Sequence, residues 1–251
     1  MHATYLGANG WLLEIGDQRV LVDPWLCGPL VFAPGPWFFQ GQLSQPQPVP
    51  QELDLLLLSQ GLPDHTHPPS LALLPKELPV LASPTAARRA RQLGFEQVQA
   101  LAPGERWQQG ELSIRATAGA PVPQVENGYL LEHPAGSLYL EPHGYLPADL
   151  PAQMLDAVIS PVVDLGLPVA GAFVRGQQVL PALLERFQPR TLLASSAGND
   201  VHYSGLLSRI LWQRGSTAEA AAQLADASQG LAADRSCRLI DPEPGRRYPL
   251  G

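Results

Sequence analysis

The chain has 251 residues, of which 45% are hydrophobic and 16% charged, with 16 Lys+Arg against 23 Asp+Glu and a formal charge of -7. The apolar content suffices for a core, and a charged fraction below the ~25% of ordinary soluble domains excludes disorder driven by charge. The acidic balance argues against nucleic acid as a ligand, and no apolar run reaches the ~20 residues of a membrane helix. Read from the first residue, Trp11–Ile15 and Arg19–Asp23 form a hairpin around Gly16-Asp17. Gly28 to Pro50 then reads as a long loop, because six prolines interrupt it while Val31, Phe32, Trp37, Phe38 and Phe39 stud it. Such a loop either covers a site or is a meander pinned by its own aromatics.

Leu53–Ser59 is a near-continuous apolar run, the pattern of a strand buried on both faces. Gln60–His67 is a polar turn, and Pro68-Pro69 opens a short helix through Leu74. Val80–Ala82 reads as a strand. A helix follows, capped by Ser83, with Pro84 at its first position and Gly94 as its stop. Strands are expected at Phe95–Leu101, Glu111–Thr117, Tyr129–His133, Ser137–Glu141, Asp156–Ser160, Thr191–Ser195 and Arg238–Ile240. Helices are expected at Gln177–Phe187, Leu206–Gln213 and Ala218–Ala227. The Glu126-Asn127-Gly128 stretch fits a tight turn with no functional duty. Strands dominate both halves, which implies two sheets packed together under helices, as one domain over 1–251.

The six histidines are the residues that metal or acid–base chemistry would draw on. Cys27 and Cys237 are too few for a zinc module or a disulfide framework and read as two partly buried thiols in a reducing compartment. No basic segment followed by an apolar run marks an export signal, so the cytoplasm is the expected location.

The informative segment is Ser59-Gln60-Gly61-Leu62-Pro63-Asp64-His65-Thr66-His67, where a buried strand ends in a polar turn ahead of a helix. It resembles the metal-binding loop of the metallo-β-lactamase fold, Ser/Thr-His-x-His-x-Asp-His. In that resemblance Ser59, Asp64 and His65 match, while Gln60 and Leu62 stand at the two earlier histidines. Thr4-Tyr5-Leu6-Gly7 through Val20–Leu26 is similar to the opening hairpin of the ascorbate-lactonase-like branch. Pro103-Gly104-Glu105 with Gly110, Leu112 and Ile114 is similar to the family's mid-chain hairpin. The resemblance implies an α/β fold, a four-layer αββα sandwich of the metallo-β-lactamase type. It also implies two metal sites, but the third histidine of the first falls in Arg115–Pro121, which has none. Gln, Leu and small residues are poor zinc ligands, so the first site is expected to be lost.

For the second site the resemblance leaves Asp64 and His65, with Glu141 or His143 where the family has Gly-Asp-Thr-Gly, and His202 as the final histidine. These would hold at most one divalent metal, zinc, manganese or iron, and Asp64 or His143 would orient groups or shuttle protons. Against this stands the plain reading that Asp64 organises the turn, that His65 and His67 are solvated, and that Glu141 and His143 bond to each other. Asp23 braces the strand end, and His2 and His133 lie away from the site. Two functions follow. One is a hydrolase of a small ester, lactone, amide or phosphodiester with at most one metal. The other is a non-catalytic member of the fold that binds a ligand, or a protein partner through the Val31–Phe39 loop.

Overall fold

The structure is a computed structural model and describes residues 1–121, 125–195, 201–227 and 236–251. Strands β1 (His2–Gly7), β2 (Gly10–Ile15) and β3 (Gln18–Val22) form an antiparallel meander. After β4 (Leu30–Phe32) and β5 (Phe39–Leu43), the chain enters β6 (Leu55–Leu58), α1 (Pro68–Ala72), β7 (Val80–Ala82), α2 (Pro84–Gln92) and β8 (Val98–Ala100). The order β20-β1-β2-β3-β6-β7-β8 makes a seven-stranded sheet in which β3, β6, β7 and β8 run parallel. Its outer strand β20 (Arg247–Pro249) pairs with β1.

A second seven-stranded sheet has the order β19-β16-β13-β12-β11-β10-β9. It takes β9 (Arg106–Gln109), β10 (Leu112–Ala118), β11 (Asn127–His133), β12 (Gly136–Leu140) and β13 (Ala157–Pro161) in succession. The hairpin β14 (Asp164–Leu167) and β15 (Gly171–Arg175) leads to α3 (Gly176–Phe187), which is followed by β16 (Thr191–Ser195). Beyond β17 (Val201–Ser204), β18 (Trp212–Arg214) and α4 (Thr217–Ala227), β19 (Arg238–Ile240) completes the sheet.

Side-chain alternation explains the layering. Leu55 and Leu57 of β6 join Trp11, Leu13, Val20 and Val22 against Ile114, Tyr129, Leu131, Leu138 and Ile159 of the second sheet. The intervening Leu56 and Leu58 turn outward onto Leu71 of α1 and Ala86, Ala87 and Ala90 of α2. The run of leucines is therefore continuous because both faces of β6 are covered, each side chain contributing about 2 kcal/mol of burial. On the far side Leu130, Tyr139, Val158 and Leu192 meet Leu180, Leu183 and Phe187 of α3 and Leu224 of α4. Helix, sheet, sheet and helix form the four-layer αββα sandwich that the sequence predicts. Ser83 Oγ accepts the Ala86 N–H at 3.3 Å, so α2 begins at the expected cap.

Several regions differ from expectation, among them the long loop and the segment after β17. The proline-rich loop contains β4 and β5, which join β17 in a small three-stranded sheet. Leu30–Phe32 and Phe39–Leu43 are free of proline, but their partner β17 lies far along the chain. Leu206–Gln213 is not a helix: a 3-10 turn at Leu207–Arg209 gives way to β18, which pairs with β14. Leu206 and Ile210 are exposed, so no apolar face anchors a helix there, whereas Trp212 lies over Gly166, where an added Cβ would come within 2.3 Å of the indole.

Candidate metal centre

The site lies where the parallel strands of the two sheets end. β3 runs into Asp23, held at a positive φ of 39°, and β6 runs into Ser59. Asp23 Oδ1 accepts the Ser59 N–H at 2.8 Å, locking the strand ends together as expected of a brace. Its Oδ2 lies 2.8 Å from His65 Nδ1 and also accepts the Ser59 hydroxyl. A carboxylate only accepts, so the Nδ1 proton of His65 points at Asp23. The turn that delivers His65 is closed on Leu62 O by the N–H groups of His65 and Thr66, at 3.0 and 2.8 Å. His65 Nε2 then faces Asp64 Oδ2 at 3.3 Å, Asn9 Nδ2 at 3.4 Å and Glu126 Oε1 at 3.8 Å.

The opposite wall belongs to the second sheet. Asn127 N–H donates to Ser59 O at 3.0 Å and the Tyr129 hydroxyl to Leu58 O at 2.9 Å, clasping the sheets at this edge. Glu126, just ahead of β11, is thereby fully buried, with Oε2 2.8 Å from His143 Nδ1 and Oε1 3.4 Å from Ser59 Oγ. After β12, Glu141 Oε2 accepts the N–H groups of His143 and Tyr145 at 3.1 and 2.5 Å, shaping the turn that holds His143. Glycine is needed at 128, since a Cβ would stand 2.6 Å from Thr117 Oγ1 and 3.1 Å from Glu141 Cγ. The His65 and His143 ring centroids are 5.2 Å apart.

Charge in the cluster is strongly perturbed. Burial disfavours a charged His65 ring, but Asp64 and Asp23 outweigh it and hold the ring well above its ordinary value. For Asp64 burial acts upward, yet the His65 charge and hydrogen bond bring the carboxyl below its usual range. Burial raises Asp23, with His65 opposing. Burial and the adjacent Glu126 charge push Glu141 well above the carboxylate range. Glu126 is lowered, because His143 and the contact with Glu141 overcome its burial.

Of the residues singled out from sequence, Asp64, His65 and His143 each bring a ligand atom within 4.8 Å of the others. Glu141 falls in a second such group with Glu126 and His143. His202 joins neither group among the described residues; it is exposed on β17, opposite Gln42 of β5. The turn Gly198-Asn199-Asp200 lies outside the described residues. His67 is buried rather than solvated, with Nδ1 2.9 Å from Ser70 Oγ, Nε2 3.2 Å from Pro29 O and its ring beside Trp25. Burial lowers its pKa. Sequence reasoning missed Glu126, read as part of a plain turn; the available signal was an acidic residue set directly against an apolar strand. Asn9, in the β1–β2 turn, was also missed.

One buried oxygen in this cluster, Asp64 Oδ1, has no hydrogen-bond partner. An unpaired buried carboxylate oxygen beside two imidazoles forms a donor set suited to a divalent cation. The residues therefore fit a metal.

The fold is shared with known proteins. A family model described as a beta-lactamase superfamily domain matches residues 2–195. No curated protein sequence matches the chain. Among solved structures, a possible metal-dependent hydrolase from Veillonella parvula aligns at a TM-score of 0.72 with 14% identity, covering 99% of this chain and 98% of that one. An isothiocyanate hydrolase from Delia radicum gut bacteria aligns at 0.68 with 16% identity, covering 100% and 99%. A metallo hydrolase from the hyperthermophilic archaeon Ignicoccus hospitalis aligns at 0.62 with 15% identity, covering 98% and 97%. At these identities the likeness concerns the fold.

Proposed function

Because the chain belongs to the beta-lactamase superfamily, we propose that it is a metal-dependent hydrolase with a single divalent metal held by Asp64, His65 and His143. The observation that carries this reading is the pairing of each imidazole with a buried carboxylate. Asp23 takes Nδ1 of His65 and Glu126 takes Nδ1 of His143, which leaves both Nε2 atoms for a ligand. A carboxylate behind each histidine is the arrangement that fixes tautomer and ring orientation at metal sites. Two histidines and one carboxylate leave coordination positions open, a set used by zinc, manganese and iron enzymes. The first family site has no counterpart in this reading: Gln60 and Leu62 replace its loop histidines, and 116–120 offers only Ala, Thr and Gly.

A divalent metal bound there would supply Lewis acidity and lower the pKa of water toward neutrality. The chain's own residues do the rest. Asp64 is only partly buried as a residue and lies beside His65, where its carboxylate can orient a reacting water or take a proton. Asn9 places its side-chain amide beside His65. The substrate class is a small ester, lactone, amide or phosphodiester.

The ion pair between His65 Nε2 and Asp64 at 3.3 Å favours a second reading. A proton on His65 can occupy the place of a cation, and the protein would then be a non-catalytic member of the fold. Metal analysis of protein purified without added metal separates the two. The hydrolase reading expects about one equivalent of zinc, manganese or iron, lost in Asp64→Ala, His65→Ala and His143→Ala. Hydrolysis of activated esters should fall at least ~100-fold in each variant. Less than ~0.1 equivalent, unchanged by added metal, overturns the hydrolase reading.

A further inference from the structure

We infer that Glu126 is a positioning residue, aiming His143 at the cation held with Asp64 and His65; this rests on the single-metal reading above. His143 sits in a turn after β12, outside any helix or strand that would fix its ring. Rotation about the last side-chain bond of histidine is broad and nearly two-fold, so a ring in a turn needs an anchor to present one chosen nitrogen. Glu126 Oε2, 2.8 Å from Nδ1, is that anchor.

The anchor is itself held on three sides. Its carboxyl touches that of Glu141, and Glu141 accepts the backbone N–H of His143, so one closed circuit joins ring, anchor and turn. Glu126 N–H donates to Ala120 O, and Gly119 N–H donates to Glu126 O, each at 3.0 Å. Gly119 permits that approach, since a Cβ there would lie 3.0 Å from Glu126 O. The small residues 118–120, which offer no metal ligand, thus form the backbone cradle that seats Glu126. Each sheet contributes one carboxylate–imidazole pair, Asp23 with His65 from the first and Glu126 with His143 from the second.

Cobalt(II) titration, followed by its visible absorption, tests this on the whole chain together with Glu126→Ala and Glu126→Gln. Glu126→Ala should bind cobalt about 10- to 100-fold more weakly, with an altered spectrum. Glu126→Gln, whose amide oxygen still accepts the Nδ1 proton, should recover most of the affinity. Long-range proton–nitrogen spectra of the zinc-titrated protein should assign the Nδ1 proton of His143 in the parent and in Glu126→Gln, and its loss in Glu126→Ala. Should Glu126→Ala not fold, Glu126→Asp, with the carboxylate drawn back by one methylene, is held to the same criterion. Unchanged affinity and unchanged His143 resonances in the alanine or aspartate variant overturn the inference while leaving the metal reading intact. A parent protein that binds no cobalt overturns both.

Discussion

Burial disfavours the charged form of both His65 and Cys237, and their partners set the outcome apart. His65 lies between two carboxylates, which hold its pKa above the ordinary value despite complete burial. Cys237 has only a backbone contact at Leu192 to set against burial, and its thiol is pushed up to about 12. Both cysteines are free and half-buried, so their reactivities are separable. At pH 8 a thiol of that pKa is ionised in about one molecule in ten thousand, and thiolate is the reactive form. Brief iodoacetamide treatment followed by peptide mass spectrometry should therefore leave Cys237 unmodified in native protein. Its labelling rate should climb about ten-fold per pH unit, because the thiolate fraction rises with pH all the way to 12. Denaturation should bring it to the rate of an ordinary cysteine.

At the scale of elements, the small sheet separates aromatic residues that pin the chain from one that does not. Phe39 stacks on Tyr203 at 5.3 Å and tilts against Phe32 at 5.2 Å, joining β4, β5 and β17. Gly41 brings this sheet against Trp25, where a Cβ would meet the indole at 2.9 Å. Trp37, by contrast, is 65% exposed and touches Phe38 edge-on. Phe39→Ala should lower the urea-unfolding free energy by about 1–3 kcal/mol, a fraction of the full-core value because the ring is half-buried. Trp37→Ala should change it by less than about 0.5 kcal/mol. Equal losses would show that the whole segment, and not its stacked rings, carries the pinning.

For the molecule as a whole, alternation along strands carried most of the architecture. The four leucines of β6 announced a strand covered on both sides, and Thr191–Ser195 and Arg238–Ile240 match β16 and β19 end to end. Local chemistry likewise placed α2, because serine, proline and glycine mark its ends within one segment. What stayed illegible depends on partners remote in sequence. Glu126 becomes part of the site only because β11 lies beside β12 and the clasp at Asn127 buries it. His202, plausible by order along the chain, is carried onto β17 by its pairing with β5. No helix among the described residues is long and apolar enough to cross a membrane.

The β5–β17 pairing has one more consequence. Gln40 and Ser204, hydrogen-bonded to each other, lie 164 residues apart in the chain. Closing so long a loop is entropically costly, and the pair belongs to a three-stranded sheet outside the two large ones. Local opening should therefore release this patch before either seven-stranded sheet loosens. In native-state hydrogen exchange, amides of 40–43 and 201–204 should exchange with a lower opening free energy than those of 55–58. Uniform protection would instead make the small sheet part of the global unfolding unit. If the patch opens alone, the surroundings of Trp25 breathe on their own clock while the two carboxylate–imidazole pairs stay clasped.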